Sequence, residues 1–392
     1  MENVYIVSSV RSAVGKAKRG SLAQTRPEDM GAQVLLGALE KVPEMSIDDI
    51  DDLLIGCAFP EAEQGMNLAQ MIGLKAGMRN SLCGATVNRF CSSGLQTIAM
   101  AHQAIAFGQA DIIVAGGVES MSSIEMGGNI FTPDFDLQEV YPEAYENMGN
   151  TAENVAAKYG VDREAQDAFA LQSHQRALAA ISDGKFKDEI VPMTITMTGF
   201  DGTSSAEKTF VFDTDEGPRA DTSLEALAKL RPAFRATGGV TAGNASQVSD
   251  GAAITILISE TKMKALGLKP IARLLGFTVA GVPAELMGIG PISAIPKVLN
   301  QCDLSLKDID LIELNEAFAS QSVAIVNELQ LDDQIVNVNG GAISLGHPLG
   351  CTGAKLTATL LNELNRRDQR YGLCTMCVGG GMGAAGLFER IK

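Results

Sequence analysis

The sequence predicts an α/β fold built from two similar halves. Apolar runs of strand length, at residues 4–9, 53–55, 85–87 and 111–117, alternate with segments of helical period, at 27–41 and 93–107. Such alternation is the pattern of parallel strands joined by helices. The second observation is internal repetition. Ser46-Ile47-Asp48-Asp49-Ile50-Asp51-Asp52-Leu53-Leu54-Ile55 is echoed by Ser305-Leu306-Lys307-Asp308-Ile309-Asp310-Leu311-Ile312-Glu313-Leu314. The same offset carries Cys91 onto Gly350, and a few residues of gap set Gly116-Gly117 over Gly379-Gly380. Shared element order and shared local sequence indicate a duplicated unit.

The elements follow in order. Residues 4–9 form a first strand, and a loop with Arg11, Lys16, Lys18 and Arg19 comes next. In the helix 27–41, Pro27 suits the first turn, and Met30, Val34, Leu35, Ala38 and Leu39 fall at helical spacing. An acidic connection at 46–52 enters the strand 53–55. A short helix near 67–76 leads to the strand before Cys91 and then to the small-residue helix 93–107. The strand 111–117 is continuously apolar and ends in glycines, as buried parallel strands do. From 118 to 244 the pattern breaks, with Pro133, Asp134, Asp136 and Pro142, helices at 151–159 and 163–180, and a polar stretch at 198–208. This reads as a long insertion over one face of the core. Excursions of that length usually act on a ligand; a solvated decoration is the plain alternative. The core pattern resumes at 252–259, and the helix 353–365 is the counterpart of 93–107. The expected division is 1–117 as the N-terminal core half, 118–250 as a loop domain with the last part of that half, and 251–392 as the C-terminal core half.

Composition excludes several classes. With 392 residues, 46% of them hydrophobic, the chain can bury a large core. A net charge of −16 argues against nucleic acid and anionic membranes as partners. Any anionic ligand must then meet a local basic patch. No apolar run is long enough to span a membrane. The first residues read as a strand with no signal or transit character. Seven cysteines, an odd number, do not make a disulfide framework, so a reducing cytoplasm is expected.

Chemistry concentrates in four stretches. Asn88-Arg89-Phe90-Cys91-Ser92-Ser93-Gly94 sets Cys91 at a strand-to-helix junction. The helix start should favour thiolate, the nucleophilic form; a buried structural cysteine is the plain alternative. Asn315-Glu316-Ala317-Phe318 ends a strand and opens a helix. A glycine-rich loop from Gly340 to Gly353 holds His347, one of three histidines. Its imidazole titrates nearest neutrality, which makes it the best base. His102 and His174 lie within helices and read as structural. Cys377 ends a strand that runs into Gly379-Gly380-Gly381. Cys374-x-x-Cys377 is not a redox or zinc motif, because alternate strand positions send the two sulfurs to opposite faces and no second pair has zinc spacing. Cys374, Cys57, Cys83, Cys302 and Cys351 read as core. Gly381-x-Gly383-x-x-Gly386 matches a dinucleotide fingerprint by letter only, since the chain has no room after it for the rest of that unit. A cysteine opposite a loop histidine suggests a Cys–His nucleophile system.

These motifs, in this order, resemble those of the thiolase family, and the likeness runs along essentially the whole chain. The segments 11–20, 148–156 and 241–252 resemble other thiolase segments. The resemblance implies two βαβαβαββ-type halves in a five-layer αβαβα core with an inserted loop domain. It implies that Cys91 is the acylated nucleophile, that His347 activates it, and that Cys377 moves the proton at the reacting carbon. Asn315, through a water, and His347 would make one oxyanion hole. The N–H groups of Cys91 and Gly379 would make the other. Glu316 would orient the site rather than act as an acid. Coenzyme A and acyl-CoA would be the substrates, with no separate cofactor and no metal. Arg219 would lie near the adenine end, Ser246 near the pantetheine, and Met148 at the substrate. Of the nearby basic residues Lys229, Arg231 and Arg235, Arg231 is expected only to balance acidic neighbours. Asn147 before Met148-Gly149, and Arg89-Phe90 before Cys91, look more like broad-range 3-ketoacyl-CoA thiolases of β-oxidation than like acetoacetyl-CoA-specific members. An acetyl-CoA C-acetyltransferase is the alternative. A catalytically inactive, CoA-binding scaffold is a third reading, against which no reactive residue is missing. The family also implies a homodimer or homotetramer, with a hydratase–dehydrogenase partner open.

Overall fold

A computed structural model describes residues 1–78, 83–200 and 204–392. The first part of the core runs β1 (Val4–Arg11), β2 (Gly15–Lys16), α1 (Pro27–Glu40), β3 (Asp52–Gly56), α2 (Leu68–Lys75), β4 (Gly84–Val87), α3 (Ser93–Ala106) and β5 (Ile112–Ser120). An excursion follows, with α4 (Phe135–Val140), α5 (Met148–Tyr159), α6 (Arg163–Ser182), the hairpin β6 (Met193–Phe200) and β7 (Ser205–Phe212), and α7 (Leu224–Ala228). Then come β8 (Ser249–Ser259), α8 (Glu260–Leu266), β9 (Ala272–Gly281), α9 (Gly290–Gln301) and β10 (Leu311–Leu314). The chain closes with α10 (Ala319–Leu329), α11 (Ala342–Leu345), α12 (Leu349–Arg366), β11 (Tyr371–Val378) and β12 (Met382–Arg390).

The strand order is a palindrome. It reads β10-β11-β12-β9-β1-β8-β5-β3-β4. A parallel bridge from Ile312 to Val336 stands beside β10 where β4 stands beside β3. Within the sheet, β1 meets β9 at Ile6 with Ala272, which joins the two halves edge to edge. β8 pairs antiparallel with both β1 and β5, so it completes the first half although it follows the excursion.

Strand periodicity sorts the apolar side chains into layers. On β5, Ile112, Val114 and Val118 pack outward with Met30, Val34 and Leu35 of α1 and Leu68 and Ile72 of α2. Ile113 and Ala115 face the other way, onto Leu95 and Ile98 of α3 and Leu356 and Leu360 of α12. On β11, Cys374, Met376 and Val378 face that same central helix pair. Leu373 faces Ile295 and Val298 of α9 and Ile325 of α10. The result is five layers, αβαβα, with α3 and α12 in the middle. Each fully buried Leu or Ile contributes roughly 1.5–3 kcal/mol.

The central helices touch at their first turns. A Cβ on Gly94 would lie 2.7 Å from the Ala354 nitrogen, and one on Gly353 would lie 2.4 Å from the Leu95 nitrogen. Only glycine permits that approach. It brings the start of α3, which carries Cys91, against the start of α12, which follows His347.

The excursion is more than decoration. Met193 and Ile195 of β6 are buried in the outer cluster with α1. Arg11 of β1, fully buried, pairs with Glu189 at 2.7 Å and with Asp215 at 2.8 Å. The polar stretch proved to be the tip of the β6–β7 hairpin; 201–203 lie outside the described residues. Among the described residues no helix is long and apolar enough to cross a membrane.

Candidate active site

Cys91 sits in a single tight turn, Phe90–Ser92, between β4 and α3. The turn is strained, because Phe90 has φ of 42°, a left-handed conformation that non-glycine residues avoid. Its neighbours hold it there. Asn88 Oδ1 accepts from the Phe90 N–H at 2.8 Å, and Ser93 Oγ accepts from the Arg89 N–H at 2.9 Å. Asn88 Nδ2 anchors the turn by donating to the Ala58 carbonyl at 2.9 Å.

The backbone N–H groups of Gly379 and of Cys91 itself lower the thiol's pKa. They favour thiolate, as the helix start was expected to. Burial outweighs them. With Cys91 8% exposed and the Glu119 carboxyl nearby, the thiol is pushed up to about 12. Burial disfavours the charged form more than the two amides favour it.

His347 is held at three points. Its N–H donates to the Gln247 carbonyl at 3.1 Å. Thr352 Oγ1 donates to the Pro348 carbonyl at 3.0 Å, so it accepts the proton of His347 Nδ1 at 2.6 Å. The lone pair is then on Nε2, and Asn315 Nδ2 donates to it at 3.3 Å. Burial and the Lys355 charge push the imidazole down to about 3. His347 is thus a neutral base with its acceptor nitrogen defined. Leu349, two residues on, packs in the cluster that holds Cys91 with Ala58 and Met121.

Cys377 ends β11, on the face opposite Cys374. It packs with Met287, Ala317 and Phe318, and Met148 lies against them. Burial and the nearby Cys91 both push its thiol up. Gln321 Oε1 lies 3.8 Å from its sulfur. Asn315 Oδ1 is buried without a partner among the described residues. It is free to accept from a water or a ligand.

Other sequence-derived residues fall into place unevenly. Glu316 is fully buried and accepts from Ser173 Oγ at 2.7 Å, Asn337 Nδ2 at 2.8 Å and the Ile343 N–H at 3.2 Å. It ties the glycine-rich loop to β10, an orienting role. The Ser246 N–H donates to the Ala317 carbonyl at 2.9 Å, which lays the 241–249 loop along the Asn315 motif. Asn147 caps α5, accepting from the Gly149 N–H at 2.8 Å. The exposed Arg219 guanidinium pairs with Asp221 at 3.1 Å, and its backbone N–H donates to Nδ1 of the buried His174 at 3.1 Å. Lys229 pairs with Glu225, and Arg235 with Glu146. Arg231 is exposed and makes no ion pair among the described residues. Cys83 is exposed, not core.

Three site-shaping residues escaped the sequence reading. Thr352 fixes the tautomer of His347. Gln321 faces Cys377. Glu119 is completely buried and accepts from the Ala58 N–H at 2.7 Å, the Gly350 N–H at 2.7 Å and Gln64 Nε2 at 3.0 Å. It joins the loop after β3 to the first turn of α12. The only signal for Thr352 was its place inside the glycine-rich motif; a lone Glu after a strand gives none.

A duplicated five-layer core, with a cysteine at the start of one central helix and a histidine at the start of the other, defines a thiolase-type acyltransferase. The thiolase N-terminal domain model matches residues 4–261 and the C-terminal domain model matches residues 268–390. The chain belongs to the thiolase family. It is 54% identical to a 3-ketoacyl-CoA thiolase of Bacillus subtilis over 99% of this chain and 100% of that protein. It is 45% identical to an acetyl-CoA acetyltransferase of Escherichia coli over the full length of both. The crystal structure of the Bacillus anthracis acetyl-CoA acetyltransferase superposes with a TM-score of 0.90 at 43% identity, covering 100% of this chain and 99% of that one. Human mitochondrial 3-ketoacyl-CoA thiolase gives 0.89 at 36% identity with the same coverage.

Proposed function

We propose that this thiolase cleaves 3-ketoacyl-CoA with CoA, giving acetyl-CoA and a shortened acyl-CoA. The observation that carries the reading is the pairing of the two central helix starts: Cys91 lies at one, with the Gly379 backbone favouring its thiolate, and at the other Asn315 and Thr352 fix His347 as a neutral base. Cys91 attacks the 3-keto carbon as Nε2 of His347 takes the thiol proton. The N–H groups of Cys91 and Gly379 receive the developing oxyanion. The C–C bond breaks and its electrons pass to the acetyl-CoA enolate. Asn315 and His347 stabilise the enolate oxygen, and Cys377 protonates its carbon. CoA thiol then attacks the acyl-Cys91 thioester, completing ping-pong transfer.

Arg219, Ser246 and Met148 are proposed to contact the CoA ester. Arg231, without an ion pair among the described residues, is added as a candidate for phosphate. No cofactor beyond these substrates is needed. A homo-oligomer in the cytoplasm is the expected form. Its relatives divide between 3-ketoacyl-CoA thiolases and acetyl-CoA acetyltransferases. Asn147, and Met121 buried beside Cys91 as an adaptable wall, favour the broader substrate range. Comparing kcat/KM for 3-ketoacyl-CoA esters of four carbons and longer tests this. Turnover should extend beyond acetoacetyl-CoA; strict four-carbon specificity would reject the reading and favour the acetyltransferase.

A further inference from the structure

Lys355 is a charged side chain that the chemistry above does not use. It is 1% exposed and lies on α12, one turn beyond Thr352. Residues three apart share a helix face. Thr352 holds the ring of His347 from that face, and Lys355 Nζ donates to the carbonyl of Gly346, the preceding residue, at 3.4 Å. Gly346 has φ of 96°, and a Cβ there would lie 2.3 Å from Ser249 Oγ. The peptide that carries His347 is therefore held in a conformation open only to glycine, and Lys355 grips its oxygen.

The charges around Lys355 come from several elements. Arg11 of β1 is paired with Glu189 and Asp215 of the excursion. Glu313 is on β10 and Glu316 just past its end; Cys351 and Cys374 are the neighbouring thiols. Burial and Arg11 push Lys355 down, while Asp215 and Glu313 work against them. Arg11 and Lys355 thus lie among Asp215, Glu189 and Glu313, and burial pushes Glu313 toward its protonated form.

We propose that Lys355 is a positioning residue for the base: it holds the Gly346 carbonyl and, as an ammonium, adds to burial in keeping Nε2 of His347 unprotonated. The inference rests on His347 acting as the base, but its test reads the imidazole directly. The chain has three histidines, so ¹⁵N-histidine spectra are simple, and His347→Ala assigns the signal. In Lys355→Met, His347 should titrate roughly half a pH unit or more above the parent, because a repelling charge is gone. Its kcat should fall with KM for acyl-CoA within about twofold. Lys355→Arg keeps the charge and should restore both. Lys355→Gln can still donate to Gly346 but carries no charge, and should show the titration shift even if Lys355→Met does not fold. If neither uncharged variant folds, a shifted His347 titration in Lys355→Arg overturns the proposal and an unshifted one supports it. An unchanged titration in either uncharged variant, or a lost kcat that Lys355→Arg does not recover, overturns it as well. Failure of the Cys–His reading would show separately, as a missing acetyl adduct on Cys91.

Discussion

Thr352 accepts the Nδ1 proton of His347 at 2.6 Å while donating its own to the Pro348 carbonyl. One hydroxyl therefore decides which ring nitrogen can act as a base. Thr352→Val keeps the shape and removes the hydroxyl. Its kcat should fall roughly tenfold to a hundredfold through loss of ring orientation. KM should change little, and the melting temperature should fall modestly, because the buried Nδ1–H loses its acceptor. Steady-state kinetics check this, and an unchanged kcat would leave Thr352 with a packing role only.

The depressed His347 also makes stability depend on pH. Its folded value of about 3 lies below its ordinary 6.5. Between those limits the unfolded chain binds the proton and the folded chain does not. The contribution is therefore complete above pH 6.5 and is lost as the pH falls toward 3. From 6.5 to 5 the loss is roughly 2 kcal/mol. Urea unfolding at about pH 7 and pH 5 should show a steeper acid loss for the parent than for His347→Ala; equal slopes would contradict a neutral His347.

Glu119→Ala should destabilise the protein by roughly 3 kcal/mol or more, because the Ala58 and Gly350 N–H groups and Gln64 lose a buried acceptor. Thermal unfolding measures it. A loss below about 1 kcal/mol would mean that water replaces the carboxylate.

His347→Ala and Cys377→Ala should fail differently. Cys377→Ala keeps the base, so alkylation of Cys91 by iodoacetamide should stay near the parental rate, while exchange of the methyl protons of bound acetyl-CoA should be lost. His347→Ala should slow the alkylation. If Cys377→Ala slows alkylation as much and leaves exchange normal, Cys377 is a structural cysteine.

Much of this site was legible because its parts are local. Asn88 to Gly94 carries both the nucleophile and the side chains that hold its turn. The duplication was visible because the 46–55 and 305–314 stretches kept their sequence. What stayed hidden depends on distant partners. The ionisation of Cys91 also follows burial, which no motif reports and which opposes the effect of the helix start. Glu119 acts on Gly350, 231 residues away. The strand at 249–259 was legible as a strand. Its place between β1 and β5 was not, because the excursion separates it from both in sequence.

The central claim is that Cys91 takes the acyl group. Incubating the protein with acetyl-CoA alone, then mapping peptides by mass spectrometry, tests it most directly. One acetyl adduct is expected, on Cys91, absent from Cys91→Ser. An adduct on Cys377 or Cys351 instead, or none on any cysteine, would contradict it.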